Sequence, residues 1–546
     1  MPRKERSPPP RRMPAAPRNV IARTSLQGIR FPEKSVTLRV VSKFLLYQML
    51  PRVFGRREWV PGGSYSTNGS GRFNDITDET LKALARDLHI DAVWYTGVIA
   101  HATKTRFEGV EPCHPDLVKG EAGSPYAITD YFDVAAELAT APGKGMAEFE
   151  ALVARTHKAG LKVVIDFVPN HVFRQFRPPF NRSNFYTLYG QSLKLPVDTD
   201  YTESPALGTG NCPGNASPGT GDWYDTIKLN YDNKYTWNIM RDVLLFWAGK
   251  GVDGFRCDMV ELVPADFFRW AIAQVRHQKP GIMFIAEVYD KGNYRRYADA
   301  GFDYLYDKTG FYDALKEICA GWRPAYWLTG EWQFLGDLQP RMLNFLENHD
   351  EQRVASDFFL GDGRKALAPL TVSMLFNTCP FMIYFGQEYG ERGMLEEGYS
   401  GRDGRTSIYD YCCLSTEAGP AGDTNGKTPA GDTTGTAPKD EYLYNRYKQL
   451  TALAKEPIFA EGKTYDLMWL NPAGDRFDPN RQFAFMRAHG GKGALVVANF
   501  DDKPASVQLN ISQDAFEYLG IPVDHHFFEP IEIPAHDATI IKTFNE

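Results

Sequence analysis

Four short apolar runs, each ending in polar or charged side chains, constrain the fold of this 546-residue chain more than any other feature. Before one of them, Met240, Val243, Leu244 and Trp247 have the i, i+3, i+4, i+7 spacing of a helix face. Alternating strands and helices favour a closed parallel barrel, in which functional groups collect at the C-terminal ends of the strands. The runs cover residues 162–171, 252–258, 282–287 and 343–350. We therefore expect the polar groups at their ends to converge on one pocket.

The second run ends in a carboxylate, Asp258, two residues after Arg256. Strand alternation places these two side chains on the same face. An adjacent guanidinium favours the ionised form of a carboxylate, so Asp258 is a candidate nucleophile with a low pKa. The alternative interpretation of this segment alone is a buried structural Arg–Asp pair.

The ordered set of four motifs resembles the signature regions of a known enzyme family. The segments are Asp166-Phe-Val-Pro-Asn-His171, Gly254-Phe-Arg-Cys-Asp258, Ile285-Ala-Glu287 and Phe345-Leu-Glu-Asn-His-Asp350. In order and separation they are similar to the four conserved regions of the α-amylase family of glycoside hydrolases (family 13), in its bacterial α-amylase-like form. The resemblance extends from about Tyr47-Gln-Met-Leu-Pro-Arg-Val-Phe54 to the C-terminal segment, which is most of the chain.

The resemblance implies an α/β fold: a (β/α)8 TIM barrel with an insertion domain after strand 3 and a C-terminal all-β sandwich domain. We place the barrel at residues 41–171 and 235–455, the insertion domain at 172–234 and the C-terminal domain at 456–546. In the last of these, alternating segments such as Tyr465–Leu470 and Ala505–Ile511 predict strands. Residues 1–40 are rich in Pro and Arg and predict a disordered tail.

The resemblance also implies a reaction, the retaining hydrolysis of α-1,4-glucosidic bonds in starch, glycogen or maltooligosaccharides. Such hydrolysis requires one carboxylate that attacks the anomeric carbon and one acid that protonates the departing oxygen. Asp258 is then the nucleophile, Glu287 the acid and later the base, and Asp350 a third carboxylate that stabilises the transition state. An α-1,6-cleaving or transglycosylating enzyme of the neopullulanase, oligo-1,6-glucosidase or glucanotransferase type remains an alternative. A non-catalytic binding homologue is a more remote one.

Five further side chains receive roles by the same resemblance. His171 and His349 are expected to hydrogen-bond sugar hydroxyls at the cleavage subsite, with Arg256 beside them. Tyr126 is expected to stack on the sugar next to the cleaved bond, although a packed loop aromatic is the alternative. Asp166 is expected to orient the strand end and Arg256 rather than to touch substrate.

A structural calcium ion is the one cofactor that the resemblance suggests. Asn170 matches a residue that in many family members binds Ca²⁺ between barrel and insertion domain. Ca²⁺ requires six or more oxygen ligands, and only this candidate is identifiable in the sequence. The chain also carries Glu261-Leu262 where α-amylases often have Lys-His, which puts both the calcium site and the leaving-group contacts in doubt.

Composition excludes several other classes of function. The net charge of −7, with both signs mixed, gives no indication of nucleic-acid binding. The sequence contains no run of about 18 apolar residues, so it predicts no membrane span. The seven cysteines and the absence of a signal-peptide pattern predict a cytoplasmic protein, or a secreted or periplasmic one if the true start differs. The expected partner is an α-glucan or maltooligosaccharide, and the sequence gives no indication of oligomeric state.

Overall fold

The computed structural model describes residues 43–56, 60–185, 223, 225–393, 402–416 and 439–543. The predicted tail at 1–40, most of the predicted insertion domain and Tyr224 lie outside the described residues. The strands are β1 Leu45–Met49, β2 Ala92–Tyr95, β3 Ile99–His101, β4 Ile128–Val134, β5 Lys162–Phe167, β6 His171–Phe173, β7 Thr226–Lys228, β8 Gly254–Cys257, β9 Met283–Ala286, β10 Tyr304–Tyr306, β11 Met342–Phe345, β12 Phe381–Tyr384, β13 Lys463–Asp466, β14 Gln482–His489, β15 Lys492–Asn499, β16 Ala505–Val507, β17 Ile531–Ile533 and β18 Ala538–Lys542.

Helices alternate with the barrel strands along the chain. They are α1 Tyr65–Asn68, α2 Asp78–Asp87, α3 Gly145–Lys158, α4 Lys234–Gly249, α5 Ala265–Gln278, α6 Tyr294–Ala300, α7 Asp313–Cys319, α8 Trp327–Leu335, α9 Leu367–Leu375, α10 Glu441–Lys455, α11 Pro457–Ala460 and α12 Gln513–Leu519.

Eight parallel strands form a closed barrel in the order β1-β12-β11-β10-β9-β8-β5-β2. The TIM-barrel prediction is therefore confirmed. Alternation along the strands places one set of side chains inside the barrel, where Leu46, Trp94, Val164, Ile285 and Leu343 belong to one buried cluster. The sequence pattern did not single out β10, which is only three residues long.

Helix α4 shows how local sequence positions strand β8, which leads to Asp258. Asn233 caps its N-terminus by accepting a hydrogen bond from the Tyr235 N–H at 2.9 Å. The predicted apolar face, which includes Val243 and Trp247, is buried, and the helix ends at Gly249. Gly251 then turns the chain with a positive φ of 93°, which glycine adopts without strain, and β8 begins three residues later.

Two antiparallel strand pairs form within the connections between barrel strands. Strands β3 and β4 pair within the connection after β2, an excursion that the sequence pattern did not indicate. Strands β6 and β7 pair at the two ends of the segment that is expected to be the insertion domain, with His171 opposite Lys228. The β6–β7 pair carries His171 and Thr226, which line the pocket described below, and the segment between β3 and β4 carries Tyr126.

The C-terminal region is rich in β-structure, as predicted, but it is not built from strands alone. It has a four-stranded antiparallel sheet in the order β13-β14-β15-β18 and a two-stranded sheet of β16 and β17. Helix α12 was not expected, the predicted strand Tyr465–Leu470 is displaced to Lys463–Asp466, and the predicted strand Ala505–Ile511 is shortened to Ala505–Val507. In the described part of the chain, no helix is long and apolar enough to cross a bilayer.

Candidate active site

An open pocket of about 260 Å³ lies at the C-terminal end of the barrel. Its wall includes five of the side chains selected from the sequence: Tyr126, His171, Asp258, Glu287 and Asp350. Each follows a different strand or connection, and barrel closure brings these distant positions together. The convergence expected from the four motifs is therefore present in the structure.

Arg256 lies at the centre of the carboxylates below the pocket and is fully buried. Its Nη1 donates to Asp258 Oδ1 at 2.7 Å and to Asp166 Oδ1 at 3.4 Å, and its Nη2 lies 2.6 Å from Glu287 Oε1. The guanidinium also lies 5.6 Å from the ring centroid of Tyr306. One cation therefore holds two pocket carboxylates and one supporting carboxylate in fixed positions.

The expected low pKa of Asp258 is wrong for the protein without substrate. Burial raises the pKa of Asp258 well above its usual range, and the charge of Glu287 raises it further. Arg256 opposes both effects but does not outweigh them. The sequence showed the arginine two residues away, whereas the desolvation and the second carboxylate arise only from the folded site.

Glu287 is oriented by two groups besides Arg256. Its Oε2 accepts the backbone N–H of Met259 at 2.6 Å, and its Oε1 accepts the phenol of Tyr289 at 2.9 Å. Met259 adopts a left-handed backbone conformation with φ 45°, which is uncommon for a residue with a side chain. Such strain clusters at functional sites, and here it accompanies an N–H directed at the candidate acid.

His349 links the third carboxylate to the barrel interior. Its Nδ1 accepts from Gln48 Nε2 at 2.8 Å, while its Nε2 lies 3.2 Å from Asp350 Oδ2 and 2.5 Å from the Tyr126 hydroxyl. Burial, followed by the charge of Arg256, lowers the pKa of His349 to about 3, so the ring is neutral at pH 7. The Gln48 contact then places the single ring proton on Nε2, which faces Asp350 and the Tyr126 hydroxyl.

Tyr126 stacks on His349 with ring centroids 5.3 Å apart. Its hydroxyl also lies 3.3 Å from Asp166, which receives a second hydrogen bond from Trp94 Nε1 at 3.0 Å. Burial raises the pKa of Asp166 to about 6, against the opposing effect of Arg256. In the described structure, Asp166 supports Arg256 and Tyr126 from beneath, at the place expected for an orienting residue.

His171 forms the opposite wall of the pocket together with Trp223, at a ring-centroid distance of 5.2 Å. Burial, and after it the charge of Lys119, lowers the pKa of His171 to about 3. Asn170 places its Nδ2 3.1 Å from His171 Nδ1. The neutral imidazole is suited to hydrogen bonding with hydroxyl groups.

Several pocket residues were missed from the sequence. Met259, Tyr289, Lys119 and Tyr409 line the pocket, although none of them belongs to the motifs by which the site was found. Met259 and Tyr289 each stand close behind a motif carboxylate, and that position is the only signal that could have indicated them. Lys119 and Tyr409 lie on connections that approach the site only through the tertiary fold.

The calcium expectation has limited support in the described donor set. Asn170 supplies one buried amide, and the described residues contain no cluster of three or more His, Cys, Asp or Glu side chains arranged to hold a metal ion. Ca²⁺ takes six to eight oxygen ligands. The described residues alone do not complete such a site, and Ca²⁺ remains a prediction.

Comparison with known proteins agrees with this geometry. Alpha-amylase MalA of Haloarcula japonica is 28% identical over 361 residues, which are 65% of this chain and 45% of that protein. Alpha-amylase 3 of Dictyoglomus thermophilum is 25% identical over 295 residues, which are 50% of this chain and 55% of that protein. The chain therefore spans about half the length of these curated relatives.

The fold is also shared with solved structures. A cyclic α-maltosyl-(1→6)-maltose hydrolase from Arthrobacter globiformis matches with a TM-score of 0.63 and 18% identity, over 92% of this chain and 98% of that one. The Alpha-amylase family, described as alpha amylase, catalytic domain, matches residues 63–216 and 220–457, which are more than half of the chain. With the motif carboxylates gathered at the C-terminal end of a closed barrel, this chain belongs to the α-amylase family.

Proposed function

We propose that this protein is a retaining glycoside hydrolase that cleaves α-1,4-glucosidic bonds of starch, glycogen or maltooligosaccharides. The observation that carries the proposal is the shared contact of Arg256 with Asp258 at 2.7 Å and with Glu287 at 2.6 Å. Two carboxyl groups joined by one guanidinium lie close together at one pocket. That arrangement supports the short carboxyl separation, about 5–5.5 Å, of retaining enzymes over the wider one of inverting enzymes.

The reaction divides between these two groups. Asp258 attacks the anomeric carbon while Glu287 donates its proton to the departing glycosidic oxygen, which leaves a glycosyl ester on Asp258. Glu287, now ionised, then removes a proton from water, and the water oxygen displaces Asp258. The first step requires a proton on Glu287 and the ionised form of Asp258.

The neighbouring groups are placed to bind the sugar rather than to cleave the glycosidic bond. The Asp350 carboxylate lines the pocket, with His349 Nε2 3.2 Å from it, and is placed to bind sugar hydroxyls as the ring distorts. His171 and Trp223 offer a hydrogen-bonding group and an aromatic face on the other side. Tyr126 is partly exposed in the pocket, which supports its expected contact with the sugar at the cleavage point.

An α-1,6-cleaving or transglycosylating activity is the second candidate, because of one specific observation. Glu261, which stands where α-amylases often have lysine, accepts the backbone N–H groups of Tyr289 and Asp290. The side of the pocket beyond Glu287 is therefore built differently from the pattern on which the α-1,4 expectation rests. A non-catalytic homologue is disfavoured because Asp258, Glu287 and Asp350 all reach the pocket.

Product analysis separates these candidates. The purified protein is incubated with starch, pullulan, cyclodextrin and short maltooligosaccharides, and the products are resolved by chromatography. Maltooligosaccharides from starch support α-1,4 hydrolysis, cleavage at the α-1,6 linkages of pullulan supports the α-1,6 alternative, and products longer than the substrate indicate transglycosylation. No turnover of any of these α-glucans would contradict the proposal.

Trapping the intermediate tests the roles of the carboxylates. Glu287→Gln removes the acid and base, so natural glucans are not cleaved, whereas α-maltosyl fluoride still reacts because fluoride departs without a proton. The maltosyl ester then accumulates, and mass spectrometry is expected to find it on the peptide that contains Asp258. The unmutated protein is expected to release α-anomeric product, which NMR follows directly. Initial β-anomeric product would contradict retention.

A further inference from the structure

Glu261 joins the two segments that follow the catalytic strands β8 and β9. It lies in the short turn Val260–Leu262, directly after the left-handed Met259. Its carboxylate accepts the Tyr289 N–H at 2.9 Å, the Asp290 N–H at 3.2 Å and the Asn293 side-chain amide at 2.8 Å. Three donors on one carboxylate fix the backbone of the segment after β9 relative to the end of β8.

Tyr289 is the residue whose position this arrangement determines. Its hydroxyl lies 2.9 Å from Glu287 Oε1, and its side chain forms part of the pocket wall. Burial, followed by the charge of Glu287, raises the pKa of Tyr289 well above its usual range, so the phenol remains protonated. A phenol can both donate and accept a hydrogen bond, whereas the Met259 N–H on Oε2 can only donate.

We propose that Tyr289 is a positioning residue for Glu287 and that Glu261 holds Tyr289 in place. The proposal rests on the proposed function, in which Glu287 is the acid. As Glu287 gives its proton to the departing oxygen, negative charge develops on the carboxyl, and the Tyr289 hydroxyl donates to it. During the second step, as Glu287 regains a proton from water, the same hydroxyl keeps the carboxyl directed into the pocket.

Two consequences distinguish this role from simple packing. A donor to the carboxylate favours its ionised form, so loss of the hydroxyl shifts the alkaline limb of the kcat/KM profile to higher pH. The loss also slows only reactions that need the acid. Hydrolysis of a glucan requires protonation of the leaving oxygen, whereas departure of fluoride from α-maltosyl fluoride does not.

The first experiment compares Tyr289→Phe with Tyr518→Phe, a control on the exposed side of α12. For Tyr289→Phe we expect kcat on maltooligosaccharides to fall roughly tenfold or more, the alkaline limb to move upward, and the first step with α-maltosyl fluoride to remain within about twofold. The control is expected to match the unmutated protein in all three. An unshifted alkaline limb, or equal loss on both substrates, would overturn the proposal.

The second experiment tests the coupling between the two residues. Glu261→Ala is expected to lower kcat on maltooligosaccharides and to shift the alkaline limb in the same direction, because Tyr289 is no longer fixed. Glu261→Gln, which keeps one acceptor oxygen, is expected to give a smaller effect. The double variant Glu261→Ala/Tyr289→Phe is expected to resemble Tyr289→Phe alone, since both changes remove the same contact. Independent, multiplying losses would overturn the role of Glu261.

The fluoride reaction also reports on folding and on Asp258 in each variant. A variant that releases fluoride in the first step but does not cleave the glucan has an intact nucleophile, and its defect lies at the acid. If the unmutated protein cleaves no α-glucan, the proposed function itself fails. If it does so and Tyr289→Phe behaves like the control, only the inference about Tyr289 fails.

Discussion

Two buried arginines in different domains of this molecule have different kinds of partner. Arg256, beneath the pocket, contacts the carboxylates of Asp166, Asp258 and Glu287. Arg487, on β14 of the C-terminal sheet, is equally buried but donates to backbone carbonyls, at 2.7 Å to Leu375, 2.9 Å to Phe459 and 2.8 Å to Gly462. Within the described residues, no carboxylate forms an ion pair with Arg487.

The difference shows what each cation does. Carbonyl partners satisfy Arg487 without creating a titratable group, and they tie β14 to the ends of α9 and α11. Carboxylate partners make Arg256 part of a site with several protonation states, where burial and mutual repulsion compete with the cation. We infer that Arg487 stabilises the junction between the barrel and the C-terminal sheet, and that Arg256 holds the carboxylates at the pocket in position.

Asp258→Asn is expected to give the largest effect on the catalytic side of this comparison. Loss of the nucleophile lowers kcat/KM on maltooligosaccharides by roughly 10³-fold or more, while the free energy of unfolding is kept or raised because one of two repelling carboxyls is gone. Steady-state kinetics and thermal melts measure both. Asp266→Asn, exposed on α5, serves as the control and should change neither. Comparable activity in the two variants would contradict the role of Asp258.

Arg487→Met is expected to show the opposite pattern. It leaves buried carbonyls unpaired, so the free energy of unfolding falls by about 2–5 kcal/mol, while kcat of the folded protein is unchanged. Urea denaturation and kinetics below the melting range measure the two effects. The exposed Arg269→Met should cost about 1 kcal/mol or less. Loss of kcat in folded Arg487→Met would show that the junction contributes to chemistry.

Calcium would add a second cation at the catalytic end. We propose that the ion predicted at Asn170 binds only the folded state, so its removal by excess EDTA destabilises the protein by about 2.7 kcal/mol at a hundredfold excess of ion over Kd. Calorimetry with EDTA, and with Ca²⁺ added back, measures the shift in melting temperature. An unchanged melting curve would mean that no calcium ion contributes to this junction.

Acid pH should lower the free energy of unfolding through His171. Its pKa is about 3 in the folded protein against an ordinary value of 6.5, so between these values the unfolded chain binds a proton that the folded chain does not. Stability is therefore lost as pH falls below about 6.5. His171→Gln should reduce the slope of unfolding free energy against pH by about 1.4 kcal/mol per unit. His277→Gln, exposed on α5, should leave the slope unchanged.

The local sequence pattern was sufficient to predict an element when that element's own residues show a clear periodicity. The apolar face of α4 predicted that helix, and the four apolar runs indicated the barrel strands β5, β8, β9 and β11. The local pattern was insufficient for β10, which is too short to show a period, and for α12, which interrupts a region of alternating segments. The β3–β4 excursion was also missed, because its pairing depends on residues about thirty positions apart.

The sequence by itself determined which carboxylates meet at the pocket. Asp258, Glu287 and Asp350 each follow an apolar strand, and parallel strands of a barrel can only present their C-terminal ends at one rim. The tertiary structure decided the states and the partners of those side chains. Burial depth and the approach of Glu287 set the pKa of Asp258, and the Glu261 contacts place the Tyr289 hydroxyl on Glu287. These effects depend on distances between separate loops and on exclusion of water, which no local pattern of residues encodes.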